Sequence, residues 1–352
     1  MAPFARRTAR RTLLLASATV LTALAATACG TGADDGDGAG SAGRTQVRIA
    51  YQAIPNADLV VKNRKLLEKA LPDADVKWVK FDSGADVNTA VIAGSVDLGL
   101  AGSSAVAKGL SKPLNIPYKV VWIHDVIGDN EALVARKGIG SVEELKGRKV
   151  AAPFGSTTHY SLLAALEEAG LEQSDVKLVD LQPQDALAAW QRGDIDAAYV
   201  WTPTLSELAK DGTVLVTSRE IAEQGRPTAD LGVVTTAFAE QHPDVVDAWL
   251  AAENQAVELA RKSPDEAAAA IGAELGLSAE EAKEQLGQLM LLTAEEQAGA
   301  DHLGAPGAPG ALAGSLHDAA RFLKAQKAVD AVPARSVFEK ALAVEELARV
   351  TG

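Results

Sequence analysis

Arg148-Lys149-Val150-Ala151-Ala152-Pro153-Phe154-Gly155-Ser156-Thr157-Thr158-His159-Tyr160-Ser161-Leu162-Leu163-Ala164-Ala165-Leu166 carries a short buried strand into a helix. Residues 148–152 read as the strand. Leu162, Leu163 and Leu166 then fall on one helical stripe, which stops at Gly170. Pro153 and Gly155 shape the turn between the two. Ser156, Thr157 and Thr158 place three hydroxyls at the helix N-terminus, where unpaired backbone N–H groups and the positive end of the helix dipole face one point. Such a turn suits an anion such as phosphate, sulfate, sulfonate or carboxylate. The same hydroxyls would serve equally as ordinary helix caps.

Moving outward from that turn, Asp75-Val76-Lys77-Trp78-Val79-Lys80-Phe81 reads as a copy of Asp175-Val176-Lys177-Leu178-Val179-Asp180-Leu181. Each is followed by a polar turn, a helix ending in glycine (Gly94, Gly193), and an apolar strand with an embedded acid. Those strands are Val96-Asp97-Leu98-Gly99-Leu100 and Ile195-Asp196-Ala197-Ala198-Tyr199-Val200. Asp97 and Asp196 recur at matching positions, which predicts a structural task at the strand start. Residues 47–51 and 149–152 are the matching first strands. Two such units predict the α/β class: two similar lobes with mostly parallel sheets and a cleft between them.

Open α/β sheets bind ligands at the carboxyl ends of their strands. In the first lobe those loops carry Gln52-Ala53-Ile54-Pro55-Asn56, Asp82-Ser83-Gly84 and Ala101-Gly102-Ser103-Ser104. In the second they carry residues 153–159, Gln182-Pro183-Gln184 and Trp201-Thr202-Pro203. Residues 131–136 and 230–235 are two more strands, at the edges of the second repeat. If the chain enters the second lobe through one and leaves through the other, they form a paired hinge, with Glu131 and Asp230 where the lobes meet. Lobe 1 is therefore drawn as 46–133 plus 234–352, and lobe 2 as 134–233. From Pro243 the chain turns helical and alanine-rich, with capping boxes at Ser278/Glu281 and Thr293/Glu296 and a loop at 304–310. Those helices are expected to complete lobe 1.

The first 28 residues differ in kind. Arg6, Arg7, Arg10 and Arg11 precede an apolar run over 13–26, and small residues lead to Cys29, the only cysteine. That is the layout of a secretory signal. Ala26-Thr27-Ala28-Cys29 resembles a bacterial lipobox, with Ala26 where Leu is usual, so Cys29 is the expected lipid attachment point. Residues 29–45 read as a flexible tether. The chain is thus expected to be exported and lipid-anchored on the outer side of the cell membrane. The whole sequence carries a formal charge of −13, and the signal holds four arginines and no acid. So acidic a body argues against nucleic acid as a partner.

Phe81-Asp82-Ser83-Gly84-Ala85, Gly102-Ser103-Ser104, Asn130-Glu131-Ala132-Leu133-Val134, residues 153–166 and Ala189-Trp190-Gln191-Arg192-Gly193-Asp194-Ile195-Asp196 resemble the taurine-binding proteins of bacterial ABC importers. These belong to the aliphatic sulfonate, nitrate and taurine solute-binding family. The resemblance covers roughly residues 46–260 well and the tail weakly. It implies a type II periplasmic-binding-protein-like fold that closes on its ligand and delivers it to a membrane permease served by a separate ATPase. It implies a monomer that needs no cofactor or metal. Taurine has a sulfonate, which needs donors, and an ammonium, which needs carboxylates and an apolar or aromatic wall. Ser103, Ser104, Ser156, Thr157 and the Gln52 amide suit the sulfonate. Glu131 and Asp230 suit the ammonium, with Trp201 and then Tyr160 as wall. Thr158 and His159 are further candidates, and His159, one turn into the helix, suits packing at least as well. Aliphatic sulfonates are the alternative ligand class.

Enzyme readings find little support. The five histidines, at 124, 159, 242, 302 and 317, show no pair at metal-ligand spacing, and Cys29 lies outside the folded body. Ser156 and His159 lack the setting of a nucleophile elbow. A pyrimidine-precursor synthase of the same fold, which consumes its own histidine, would be cytosolic, against the signal and Cys29. A sensor that presents ligand to a receptor would share the same closure. Trp122 and His124-Asp125 fall in a possible second cleft wall with no role assigned.

Overall fold

The structure, a computed structural model, describes residues 44–351. The signal, Cys29 and the tether as far as Gly43 lie outside the described residues. Ten strands matter to the site: β1 (Thr45–Gln52), β2 (Ala74–Phe81), β3 (Leu98–Gly102), β4 (Tyr118–Val126), β5 (Glu131–Arg136), β6 (Lys149–Ala152), β7 (Lys177–Asp180), β8 (Ala197–Trp201), β9 (Gly212–Thr217) and β10 (Ala229–Thr235). They form two five-stranded sheets, ordered β2-β1-β3-β10-β4 and β7-β6-β8-β5-β9. The sequence repeat is visible in this order, because β1 pairs in parallel with β2 and β3 just as β6 does with β7 and β8. Asp97 accepts the Arg48 backbone N–H at 2.9 Å, and Asp196 accepts that of Lys149 at 2.8 Å. The recurring acids therefore pin strand starts, as their spacing predicts.

The sheets are mostly parallel, as expected, and each holds one strand that runs the other way. In the first, β10 lies antiparallel between β3 and β4; in the second, β5 lies antiparallel between β8 and β9. The cause is the route of the chain. Strands β1 to β4 run toward the cleft, so a chain that crosses it begins its next strand at the cleft and must run away. Strand β5 arrives that way from β4, and β10 arrives on the return.

The two crossing strands consequently do not pair as a hinge. Strand β5 lies wholly in the second sheet and β10 wholly in the first. Boundaries at 133/134 and 233/234 each cut through a strand, and the outward crossing falls at residues 127–130. Glu131 and Asp230 still meet at the cleft, each within two residues of the start of its strand.

Strand β5 shows how the second lobe is packed. Leu133 and Ala135 point into one apolar cluster with Leu162 and Leu166, while Ala132 and Val134 point into another with Trp190. That alternation is the strand period of two, and both faces are covered. The first sheet joins the long helix Pro243–Lys262 and the later helices in one core around Trp122, Trp249 and Phe338. Both expected capping boxes form, at Ser278/Glu281 and Thr293/Glu296. The glycine-proline segment makes a minimal hairpin, Gly304–Ala305 against Ala308–Pro309, where a loop was expected.

Candidate ligand-binding cleft

The strand ends of the two sheets face each other across a narrow slot. Gln52, Ile54, Pro55, Gly84, Gly102, Ala105, Asp125 and Asp230 form one wall. Asn130, Glu131, Ser156, Thr157, Trp201 and Thr202 form the other, and Leu289 from the helical tail closes an edge. The space they enclose, counted with the part open to solvent, is about 450 Å3. The lobes are drawn together in this structure. Trp201 packs on Ile54 and Leu100 from across the slot.

Glu131 is buried at the first residue of β5, beside Trp201 in register. Thr157 Oγ1 donates to its Oε1 at 2.5 Å and Ser218 Oγ to its Oε2 at 3.2 Å. Burial pushes its carboxyl up to about 8, the Asp230 charge adds to this, and the two hydroxyls pull the other way. Asp230 is pushed up to about 7 by burial. The two acids sit in a low-dielectric slot that favours their neutral forms until a cation arrives.

The hydroxyls of the turn behave differently from expectation. Ser156 caps the helix Thr157–Glu168: its Oγ donates to the Pro153 carbonyl at 2.6 Å, accepts the His159 N–H at 3.2 Å and shares a bond with Thr158 Oγ1 at 2.8 Å. A hydroxyl has one proton and two lone pairs, so Ser156 is fully occupied. Thr157 has given its proton to Glu131. The donors left for an anion include two side-chain amides. Gln52 makes only a long 3.4 Å contact to the Leu100 carbonyl. Asn130 accepts the Gly128 N–H at 2.8 Å through its oxygen, which leaves its NH2 end for the cleft. The helices Ser103–Leu110 and Thr157–Glu168 both begin at the slot, with first-turn N–H groups unpaired by the helix itself.

Of the residues singled out from sequence, Gln52, Glu131, Ser156, Thr157, Trp201 and Asp230 come together in the slot. Ser103 does not; its hydroxyl accepts the Ala229 N–H at 3.2 Å and anchors the start of β10. Ser104 is buried off the wall. Thr158 is buried against Ser156. His159 turns back on its own loop, accepting the Gly155 N–H at 3.2 Å and stacking on Phe154 at 4.6 Å, and burial holds its imidazole down at about 4. Tyr160 points away from the cleft to meet Phe322 edge-on at 4.8 Å, so it is core and no wall. Among the lining residues given no site role from sequence are Asp125, Asn130, Thr202 and Leu289. The first three obey the strand-end rule that located the others, whereas Leu289 carries no such signal.

Comparison with known proteins places this geometry among relatives. A family model described as NMT1/THI5 like matches residues 73–267. The taurine-binding periplasmic protein of Escherichia coli (strain K12) is 45% identical over 203 residues, which is 58% of this chain and 62% of that protein. The chain thus spans under two thirds of that relative's length. A putative aliphatic sulfonates-binding protein of the same organism is 30% identical over 241 residues, 66% of this chain and 72% of that protein. Among solved structures, the alkanesulfonate-binding protein SsuA from Xanthomonas axonopodis pv. citri, bound to MOPS, superposes with a TM-score of 0.69 over 86% of this chain and 99% of that one. At 22% identity that likeness shows the fold alone.

Proposed function

The chain belongs to the NMT1/THI5-like family, and from that premise we propose that it is a solute-binding protein that captures taurine between its two lobes. The charge of the cleft carries the reading. Asp125, Glu131 and Asp230 line it, and among the described residues no Lys, Arg or His does. A simple alkanesulfonate would bring an anion to carboxylates with no cation present. An ionised carboxylate about 4 Å from a sulfonate would cost on the order of 4 kcal/mol even at an effective dielectric of 20, so the acids would have to stay protonated to admit it. Taurine brings its own ammonium to those carboxylates and offers its sulfonate to Gln52, Asn130 and the two helix N-termini. The identity to a taurine-binding protein supports the same ligand.

In this reading the protein acts by binding and release, without a cofactor. It is exported, held at the outer face of the cell membrane through a lipid on Cys29, and works as a monomer. It passes taurine to an ABC permease driven by a separate ATPase. Glu131→Gln tests the ligand. It keeps the shape of the side chain and removes its charge, so taurine affinity should fall by about tenfold or more, since hydrogen bonds to charged groups contribute about 1.5–3 kcal/mol. Ethanesulfonate affinity should hold or improve. Equal losses for both ligands would remove Glu131 from the ammonium site and favour a general sulfonate binder.

A further inference from the structure

Asp125 is the penultimate residue of β4 and stands directly opposite Asp230 in the β4–β10 register. Opposed residues of an antiparallel pair project to the same face with Cβ atoms about 5 Å apart. Asp125 is only 1% exposed, lines the cleft, and neither of its carboxylate oxygens has a hydrogen-bond partner. A buried ionised carboxylate without a donor is among the costliest groups a fold can hold.

The groups around it offer no relief while all are ionised. Asp230 faces it from β10, Glu131 from β5, and Asp58 from the helix Asp58–Arg64. Glu253, on the helix Pro243–Lys262, bears on Asp58 and stands 3.7 Å from His124 Nδ1. His124 is held neutral by burial, which takes it down to about 3. Lys62, which bears on Asp58, is paired with Glu274. Among the described residues, no three of His, Cys, Asp or Glu are arranged to hold a metal ion. Burial raises the Asp125 carboxyl well above its usual range, and the charges of Asp230, Glu131 and Asp58 raise it further.

Three ionised carboxylates around one ammonium leave two negative charges in excess, and a single proton held among them removes one. Two bare carboxylates also have nothing to give each other, whereas one proton between them supplies the missing donor. We propose that Asp125 holds a proton that it shares with Asp230, so that the cleft presents a singly charged carboxyl–carboxylate pair and Glu131 to one ammonium. Asp125 is then a positioning residue. It orients the Asp230 carboxylate and keeps the charge of the site suited to a monoammonium zwitterion. This deepens the taurine reading and, for its ligand arm, rests on it.

Two measurements test the proposal. In the first, carboxyl carbon NMR of the wild-type protein, assigned to residue 125 through its backbone amide, is followed against pH without ligand. The Asp125 carboxyl should begin to titrate only above pH ~7, far from the ordinary aspartate value of about 3.9; complete titration below pH ~5 would overturn the proposal. In the second, taurine affinity at pH 7 is compared across variants. Asp125→Asn keeps the shape and donates an N–H as the neutral acid does, so it should lose clearly less affinity than Asp230→Asn, which should lose about tenfold or more. Equal losses in the two would overturn it. The NMR arm needs neither ligand nor variant. A protein that failed to bind taurine would therefore sink the ligand assignment while the shared proton is still decided.

Discussion

Gly102 stands so close to Thr157 across the cleft that a methyl group on it would lie 2.7 Å from the threonine Cγ2 and 3.5 Å from Asp230 Oδ1. Its own backbone, at φ −61° and ψ 149°, would accept alanine without strain. The missing side chain therefore serves the contact between lobes. Gly102→Ala should hold the lobes apart and weaken taurine binding by about tenfold, the equivalent of about 1.4 kcal/mol, while thermal stability without ligand stays near wild type. Calorimetry and a melting curve check this, and unchanged affinity would show that the lobes need not meet at Gly102. At this scale the sequence was readable for charge and less so for hydrogen bonds. Glu131 and Asp230 could be found because each lies near the start of an apolar strand. That the Ser156 proton goes to Pro153, and the Thr157 proton to Glu131, depends on angles within the turn that no spacing encodes. Ser103 looked suitable in one dimension, with Thr158 and Tyr160 as lesser candidates, and each is aimed elsewhere by its element.

At the scale of elements, the repeat was legible because strand, helix and strand recur in the same order and spacing with the same embedded acid. Two strands escaped. Tyr118–Val126 is an apolar run ending in His124-Asp125 and Val126, and Gly212–Thr217 is a half-exposed edge; both border their sheets outside the repeated unit. The direction of β5 and β10 was likewise hidden, since it follows from where the chain crosses the cleft. Leu289 is the largest surprise, because the tail was read as scaffold. It lies in the turn after the helix Ala279–Leu286, and Val126 donates its N–H to the Met290 carbonyl at 3.1 Å, which ties that turn to the end of β4. Leu289 thereby limits the length of the slot. Leu289→Ala should improve the binding of 3-aminopropanesulfonate relative to taurine by about fourfold, the worth of one buried methylene at about 0.8 kcal/mol. Competition between the two ligands measures the ratio, and a ratio equal to that of wild type would take Leu289 out of size selection.

For the whole molecule, an acidic chain, with formal charge −13 over its full sequence, holds a cleft whose lining acids have no protein cation among the described residues. Neither feature favours a bare anion, and both tolerate a ligand that is neutral overall. Two lobes joined by short crossing segments give such a ligand two facing walls. Fold class and the two-lobe plan followed from hydrophobic pattern and repeat. The helical tail packs on the first lobe as its composition suggested, yet it also reaches the cleft. The decisive measurement is calorimetric titration of the purified protein with taurine and, separately, with ethanesulfonate, which has the same sulfonate and no ammonium. The account predicts tight binding of taurine and binding of ethanesulfonate weaker by at least about a hundredfold, near 2.7 kcal/mol. Ethanesulfonate binding as tightly as taurine would contradict it, because the carboxylates of the cleft would then have no ammonium to meet.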